Sequence, residues 1–221
     1  MAVKREFITF AIGSDQIPTL GMTADSHVTK GFGKEMRSPG SILLISCYEL
    51  GHQPLGIASP LGFLERAGFA PEGMDISVED FDTEKVARAR FIGISVPMHT
   101  ALRLGVRIGE LIREINPTCH ICFFGLYASL NADYLLEHVA DSVIGGEVEE
   151  PLVSLIKALE SGRNGELEGV SYQGKKVAPF LRRLTFSLPS RKALPSLEKY
   201  ARLERNNSSE LDLVGYVEAS R

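Results

Sequence analysis

The sequence predicts an α/β protein built on a doubly wound, five-stranded parallel sheet with a small C-terminal extension. Two observations predict it. Between residues 41 and 161, short uninterrupted apolar runs alternate with longer segments whose apolar residues recur at three- and four-residue steps. Glycine, proline or asparagine stands at most of the changes between the two patterns, and these residues end strands and helices. At 221 residues, with 44% hydrophobic and 24% charged residues, the chain holds one ordinary core plus some extra structure.

Residues 1–40 are rich in Gly, Thr, Ser and Lys and read as an irregular extension. The run ILLIS, 42–46, reads as a buried strand. A helix over 57–67 places Ile57, Leu61 and Leu64 on one face, with Pro60 in its first turn and Gly68 as its C-terminal cap. Residues 74–78 read as a second strand, closed by Glu79 and Asp80, and Thr83 as the cap of a short helix through Ala89. FIGISV, 91–96, is the third strand. Ala101, Leu104, Ile108, Leu111 and Ile115 then mark a long amphipathic helix ended by Asn116-Pro117. A strand over 120–124, a helix over 132–139, a strand over 142–144 and a helix over 149–160 complete the alternation.

After Gly162 the period breaks. GVSYQGKKV, 169–177, reads as a hairpin turning at Gln173-Gly174. Residues 179–210 are rich in proline and charge and read as a linker with one helical piece near 197–204. Residues 213–220 are strand-like.

Composition narrows the function. A net charge of −4 argues against general nucleic-acid binding. No apolar run reaches membrane-spanning length, and no signal peptide is recognisable at the N-terminus. Three cysteines, an odd number, do not suggest a disulfide framework, so a reducing cytoplasm is expected.

In an open parallel sheet, ligands bind outside the carboxyl ends of the strands. The candidate site is therefore a set of loops. The first carries His52, Pro54, Leu55 and Gly56; the third carries Ser95, Val96 and His99. The fourth carries Gly125, Tyr127 and Ser129, and the fifth Gly145, Gly146 and Glu147. Gly93 joins these small residues as a candidate slot lining. The sequence has no GxGxxG, Walker lysine or nucleophile elbow, so nucleotide and hydrolase chemistry have no positive signal. Glu147, Glu149 and Glu150 open the last helix, where carboxylates favour the dipole.

Several segments in order carry a family resemblance. They are Pro54-Leu55-Gly56 with its helix, Asp80 after strand two, Ile92-Gly93-Ile94-Ser95, and Phe124-Gly125 with Ala128-Ser129-Leu130. The most specific is Asp141-Ser142-Val143-Ile144-Gly145-Gly146-Glu147-Val148-Glu149. Together they resemble the Rossmann-like, flavodoxin-like cobalamin-binding domain that precedes the barrel of cobalamin-dependent radical S-adenosylmethionine enzymes. The resemblance covers 41–162. It departs from the family at Leu126, where a second glycine is usual. Residues 217–221 resemble the strand before that family's CxxxCxxC loop.

The resemblance implies a cobalamin-binding module serving a C-terminal radical SAM barrel, which would add a 4Fe-4S cluster and S-adenosylmethionine in a parent enzyme. Charge and hydropathy give no expectation of nucleic-acid or membrane partners, and without a cluster motif or a nucleophile–base pair no catalysis is expected of this chain alone. His52 is the candidate axial ligand to cobalt, by analogy with the DxHxxG loop of the methionine-synthase-like branch. Leu50 stands at the Asp position and Leu55 at the Gly position of that motif. Cys119 and Cys122 lie three apart on a predicted strand, facing opposite sides, and read as buried apolar residues. The alternative reading is a flavodoxin-like interaction or signalling module without a cofactor.

Overall fold

The computed structural model describes residues 32–163, 165–185, 187–204 and 211–215. Strands β1 (Ile42–Ser46), β2 (Glu72–Asp75), β3 (Phe91–Ser95), β4 (His120–Phe124), β5 (Ser142–Ile144) and β6 (Val170–Ser171) form one sheet in the order β2-β1-β3-β4-β5-β6. The first five strands are parallel, and β6 pairs antiparallel with β5. The sheet is therefore six-stranded and mixed rather than five-stranded. The sixth strand is the first arm of the predicted hairpin, closed by paired Tyr172 and Lys175 around Gln173-Gly174.

Burial on both faces explains the apolar runs. Leu43 and Ile45 point into one layer of core and Ile42 and Leu44 into the other, as alternation along a strand requires. Helices α2 (Thr83–Arg88), α3 (His99–Ile115), α4 (Leu126–Leu130) and α5 (Ala132–His138) cover the first layer. Helices α1 (Leu55–Arg66) and α6 (Glu149–Ser161) cover the second, joined by a 3-10 helix over Gly33–Arg37 that seats Met36 there. The described end of the expected irregular extension is thus ordered. Cys47, Cys119 and Cys122 are free and buried, and burial pushes their thiols up to about 12, 11 and 12, far from reactive thiolates.

Several boundaries differ from the sequence reading. Helix α1 begins at Leu55, which moves Pro60 into its second turn, where it has no N–H to offer the Gly56 carbonyl. Strand β2 ends at Asp75, so Asp80 is an exposed loop residue and Asp75 holds the strand-end position. The cap of α2 is Asp82, not Thr83: its carboxylate accepts from the Glu84 and Lys85 amides, both at 3.0 Å. Helix α4 was not foreseen; its five residues are too few to show a period.

Asn116, read as a helix stop, also ties α3 to the end of α2. Its buried amide donates to the carbonyls of Val86 (2.9 Å), Ala87 (3.2 Å) and Ala89 (2.8 Å). Asn116→Ala takes that donor from all three carbonyls, of which Val86 still accepts from the Ala89 amide, and is expected to cost about 2–3 kcal/mol in denaturant unfolding. A loss well under 1 kcal/mol would show that solvent replaces the amide.

The C-terminal part is not a free linker. Phe180, Leu184, Leu194 and Tyr200 are buried. The expected helical piece is limited to a 3-10 turn at Leu197–Lys199, followed by β7 (Arg202–Glu204), which pairs antiparallel with β8 (Leu211–Leu213). The expected strand over 213–220 begins where β8 ends, and residues 216–221 lie outside the described residues, as do residues 1–31. Among the described residues no helix is long and apolar enough to cross a membrane.

Candidate functional site

The carboxyl ends of β1, β3, β4 and β5 bring the predicted loops to one rim, where they meet in three small groups. In the first, the chain turns after β1 through Glu49, Leu50, Gly51 and His52, with the His52 amide donating to the Glu49 carbonyl at 2.9 Å. Leu50 and Gly51 both take left-handed backbone, at φ +53° and +80°. For a leucine that costs about 1–2 kcal/mol, which the closed turn must offset. The turn places Glu49 at the start of α1, whose N-terminal residue follows Pro54. Its carboxylate accepts from the Leu55 amide at 3.1 Å and the Gly56 amide at 3.2 Å.

Glu49 therefore caps α1, a role that sequence spacing did not reveal because the capping residue lies six positions upstream. Burial pushes its carboxyl up to about 7, against the pull of those two amides, with the Asp75 carboxylate adding to the rise. Gly56 is needed here for space. A Cβ at Gly56 would stand 2.7 Å from the Ser95 hydroxyl and 3.4 Å from a Glu49 oxygen.

The second group joins the ends of β3 and β4. The Val96 amide donates to the Phe124 carbonyl (2.9 Å), and the Tyr127 amide donates to the Val96 carbonyl (3.1 Å). Gly125, at φ +106°, passes within van der Waals reach of that carbonyl, where a side chain would press on it. His99 opens α3 and meets the Tyr127 ring edge-on, with centroids 6.3 Å apart. Leu126 and Leu130 are exposed beside them.

The third group is at β5. Gly145 packs against the Ser129 hydroxyl, 2.6 Å from where its Cβ would be. Gly146 is held at φ +80° against Phe180, whose amide donates to the Gly145 carbonyl and whose carbonyl accepts from Glu147. The two glycines thus admit the chain's own segment around Phe180. Gly93 does not reach the rim: Leu44, Phe124 and Phe91 fill the space beside it. Glu149 is buried and accepts from the Ser59 hydroxyl at 2.7 Å, tying α6 to α1 rather than facing solvent as a cap.

Beyond these groups, Asp75 at the end of β2 is fully buried. It accepts from the Ser77 amide (3.1 Å) and hydroxyl (2.7 Å), and burial holds its carboxyl above the ordinary range. Its other oxygen faces the buried Tyr200 phenol, and neither atom completes a hydrogen bond of good geometry. Burial, with Asp75 next, pushes the Tyr200 phenol strongly up, so Tyr200 meets Asp75 as a neutral phenol. Among the described residues no group of three or more His, Cys, Asp or Glu is placed to hold a metal ion.

Comparison with known proteins places the fold. No family model matches the chain, and no curated protein matches it. Two solved structures of TsrM from Kitasatospora setae, a radical S-adenosylmethionine methyltransferase, share its architecture. The one with cobalamin and a 4Fe-4S cluster bound is 18% identical, at a TM-score of 0.52 over 61% of this chain and 29% of that one. The one with tryptophan substrate and the analogue aza-SAM bound is 19% identical, at a TM-score of 0.54 over 79% of this chain and 36% of that one. The chain spans about a third of the solved chains it matches. What this likeness shows is the fold: a mostly parallel Rossmann-like α/β sheet.

Proposed function

We propose that this chain is a cobalamin-binding module that presents the cofactor to a radical SAM barrel. One observation carries the reading: the Gly145–Glu147 turn of the Asp141–Glu149 motif and the Gly56, Ser95 and Gly125 loops lie on one rim of a sheet whose fold matches chains that include a cobalamin-bound one. The reading places the protein in the cytoplasm and, in a parent enzyme, beside a 4Fe-4S cluster and S-adenosylmethionine.

What supports this reading is that small residues and partly exposed side chains stand along the rim, where the flat part of a corrin would lie. Between Tyr200 at the β2 end and Phe180 at the β5 end, its loops carry Gly56, Gly125 and the partly exposed His52, Met98 and Ser129. Exposed Leu50 and Leu126 offer apolar contact to a broad ring. When bound, cobalamin would supply a cobalt centre able to carry a methyl group. His52, on the β1–α1 turn, would be the side chain offered to that centre. Ser129 would offer a hydroxyl, and His99, Tyr127 and Glu147 would border the ring; Ser95, Val96, Pro54 and Leu55 are buried by the chain's own packing and support these loops from beneath. A slot for the nucleotide tail beside β3 is a different matter, because Leu44, Phe124 and Phe91 occupy it. That packing favours a second reading, an interaction module of the same shape without cofactor.

Incubation with hydroxocobalamin followed by desalting separates the two. Retained corrin absorbance at about one equivalent, lowered by Gly56→Val, is the outcome expected for the binding module. Colourless protein from correctly folded chain would reject it in favour of the second reading.

A further inference from the structure

The composition of residues 187–201 suggests a linker, yet the segment is a strap across α1 that ends on the His52 turn. It starts over Gly62, where the helix has no side chain: a Cβ there would lie 2.5 Å from the Leu188 carbonyl oxygen and 3.3 Å from the Ser190 nitrogen. The Ser190 amide donates to the Ala58 carbonyl (2.8 Å) and its hydroxyl to Glu65 (2.8 Å). Leu194 is buried over Gly73.

The strap then grips the loop itself. Gln53, 6% exposed, uses both ends of its amide: the nitrogen donates to the Pro195 carbonyl at 2.8 Å, and the oxygen accepts from Arg191 at 2.8 Å. Two residues from Gln53, the Gly51 carbonyl accepts from the Ala201 amide at 2.9 Å. Tyr200 is seated against Asp75, next to the strand that leads into this turn. Residue 52 is thus flanked on both sides by bonds to the strap. The turn also carries the left-handed Leu50, whose conformational cost needs an external constraint.

We propose that the 187–201 strap sets the conformation of the His52 turn, with Gln53 as its positioning residue, so that strap docking and ligand binding at the rim favour one another. The inference rests on the cobalamin-binding reading for its ligand, and on the contacts alone for the coupling. Whatever holds the strap down pre-forms the loop, and a ligand that orders the loop holds the strap in turn.

Gly62→Ala tests this from a distance. The new methyl meets the strap backbone and does not touch the turn. Hydrogen exchange of the whole chain is the readout. Exchange at 49–54 and 187–201 should rise together by about tenfold, as for the loss of a buried hydrogen bond or two, while β3 and β4 stay unchanged. A general loss of stability would instead raise exchange everywhere. Gln53→Ala cuts the strap's grip on the turn directly and should give the same pattern if Gly62→Ala is accommodated. Faster exchange in the strap with 49–54 unchanged, or an unchanged turn in Gln53→Ala, overturns the proposal. Both variants should also weaken hydroxocobalamin retention by about tenfold. If the unaltered chain binds no hydroxocobalamin, the functional reading falls, while the exchange result still decides the strap.

Discussion

Gly146→Ala is expected to destabilise the protein by about 3 kcal/mol, and Gly174→Ala by only about 1 kcal/mol. The two glycines have nearly the same backbone, φ +80° and +73°. They differ in what surrounds them. A Cβ at Gly174 meets nothing within 4 Å, so it carries only the cost of left-handed backbone. A Cβ at Gly146 falls 2.8 Å from the Phe180 nitrogen and carbonyl carbon, and nearer still to its oxygen. Backbone cannot swing aside as a flexible side chain can, so the segment around Phe180 must leave β5. Its bonds to Gly145 and Glu147 go with it, and so does the packing of Phe180 on Phe63 and Leu184. Urea unfolding of both variants measures the difference. Equal losses would mean that the close approach at Gly146 costs nothing and that its glycine serves only the turn.

A second large effect is in pH dependence. His120 stacks on Phe91, hydrogen-bonds the Ser142 hydroxyl at 2.8 Å, and is driven by burial from the ordinary 6.5 down to about 4. Between those values the unfolded chain holds the extra proton, so this group makes stability rise with pH. Glu49 acts the other way. Burial lifts it from 4.5 to about 7, so the folded chain holds the extra proton and stability falls as pH rises through that window. Asp75, also raised by burial, has the same sign as Glu49. From 4.5 to 6.5 the His120 and Glu49 slopes oppose and largely cancel each other, which leaves the smaller slope of Asp75. Glu49→Gln removes one side, and stability should then climb by up to about 3 kcal/mol between pH 4 and 6.5. His120→Gln removes the other, and stability should fall from pH 4.5 to 7. Denaturation midpoints measured across pH 4–7.5 decide it; parallel curves for all three proteins would show that neither group is held as its surroundings imply.

Much of the architecture could be read before any coordinates. The runs 42–46, 91–96 and 120–124 are strands because a chain buried on both faces has little room for polar residues, and these carry them only at their ends: Ser46, Ser95 and His120. The boundaries of β4, β5 and α6 fall within a residue of expectation. Strand β2 was placed too late, because Glu72-Gly73-Met74-Asp75 carries two acids and a glycine and does not look like a strand. The same shift hid Asp75 behind Asp80. Glu49 escaped because nothing local marks a carboxylate that turns back onto the helix start.

The alternation of strands and helices over 41–161 and the burial of the strands followed from the sequence itself, since those patterns repeat within each element and depend on near neighbours. The tertiary structure alone decided which glycines give space and to what. Gly146 and Gly62 open the way for the chain's own backbone, Gly93 for core side chains, and Gly174 for nothing. It alone turned residues 187–201 from an apparent linker into a strap. Its grip on Gln53 joins residues 138 and 142 positions apart, and a contact across that distance leaves no period in the chain to read.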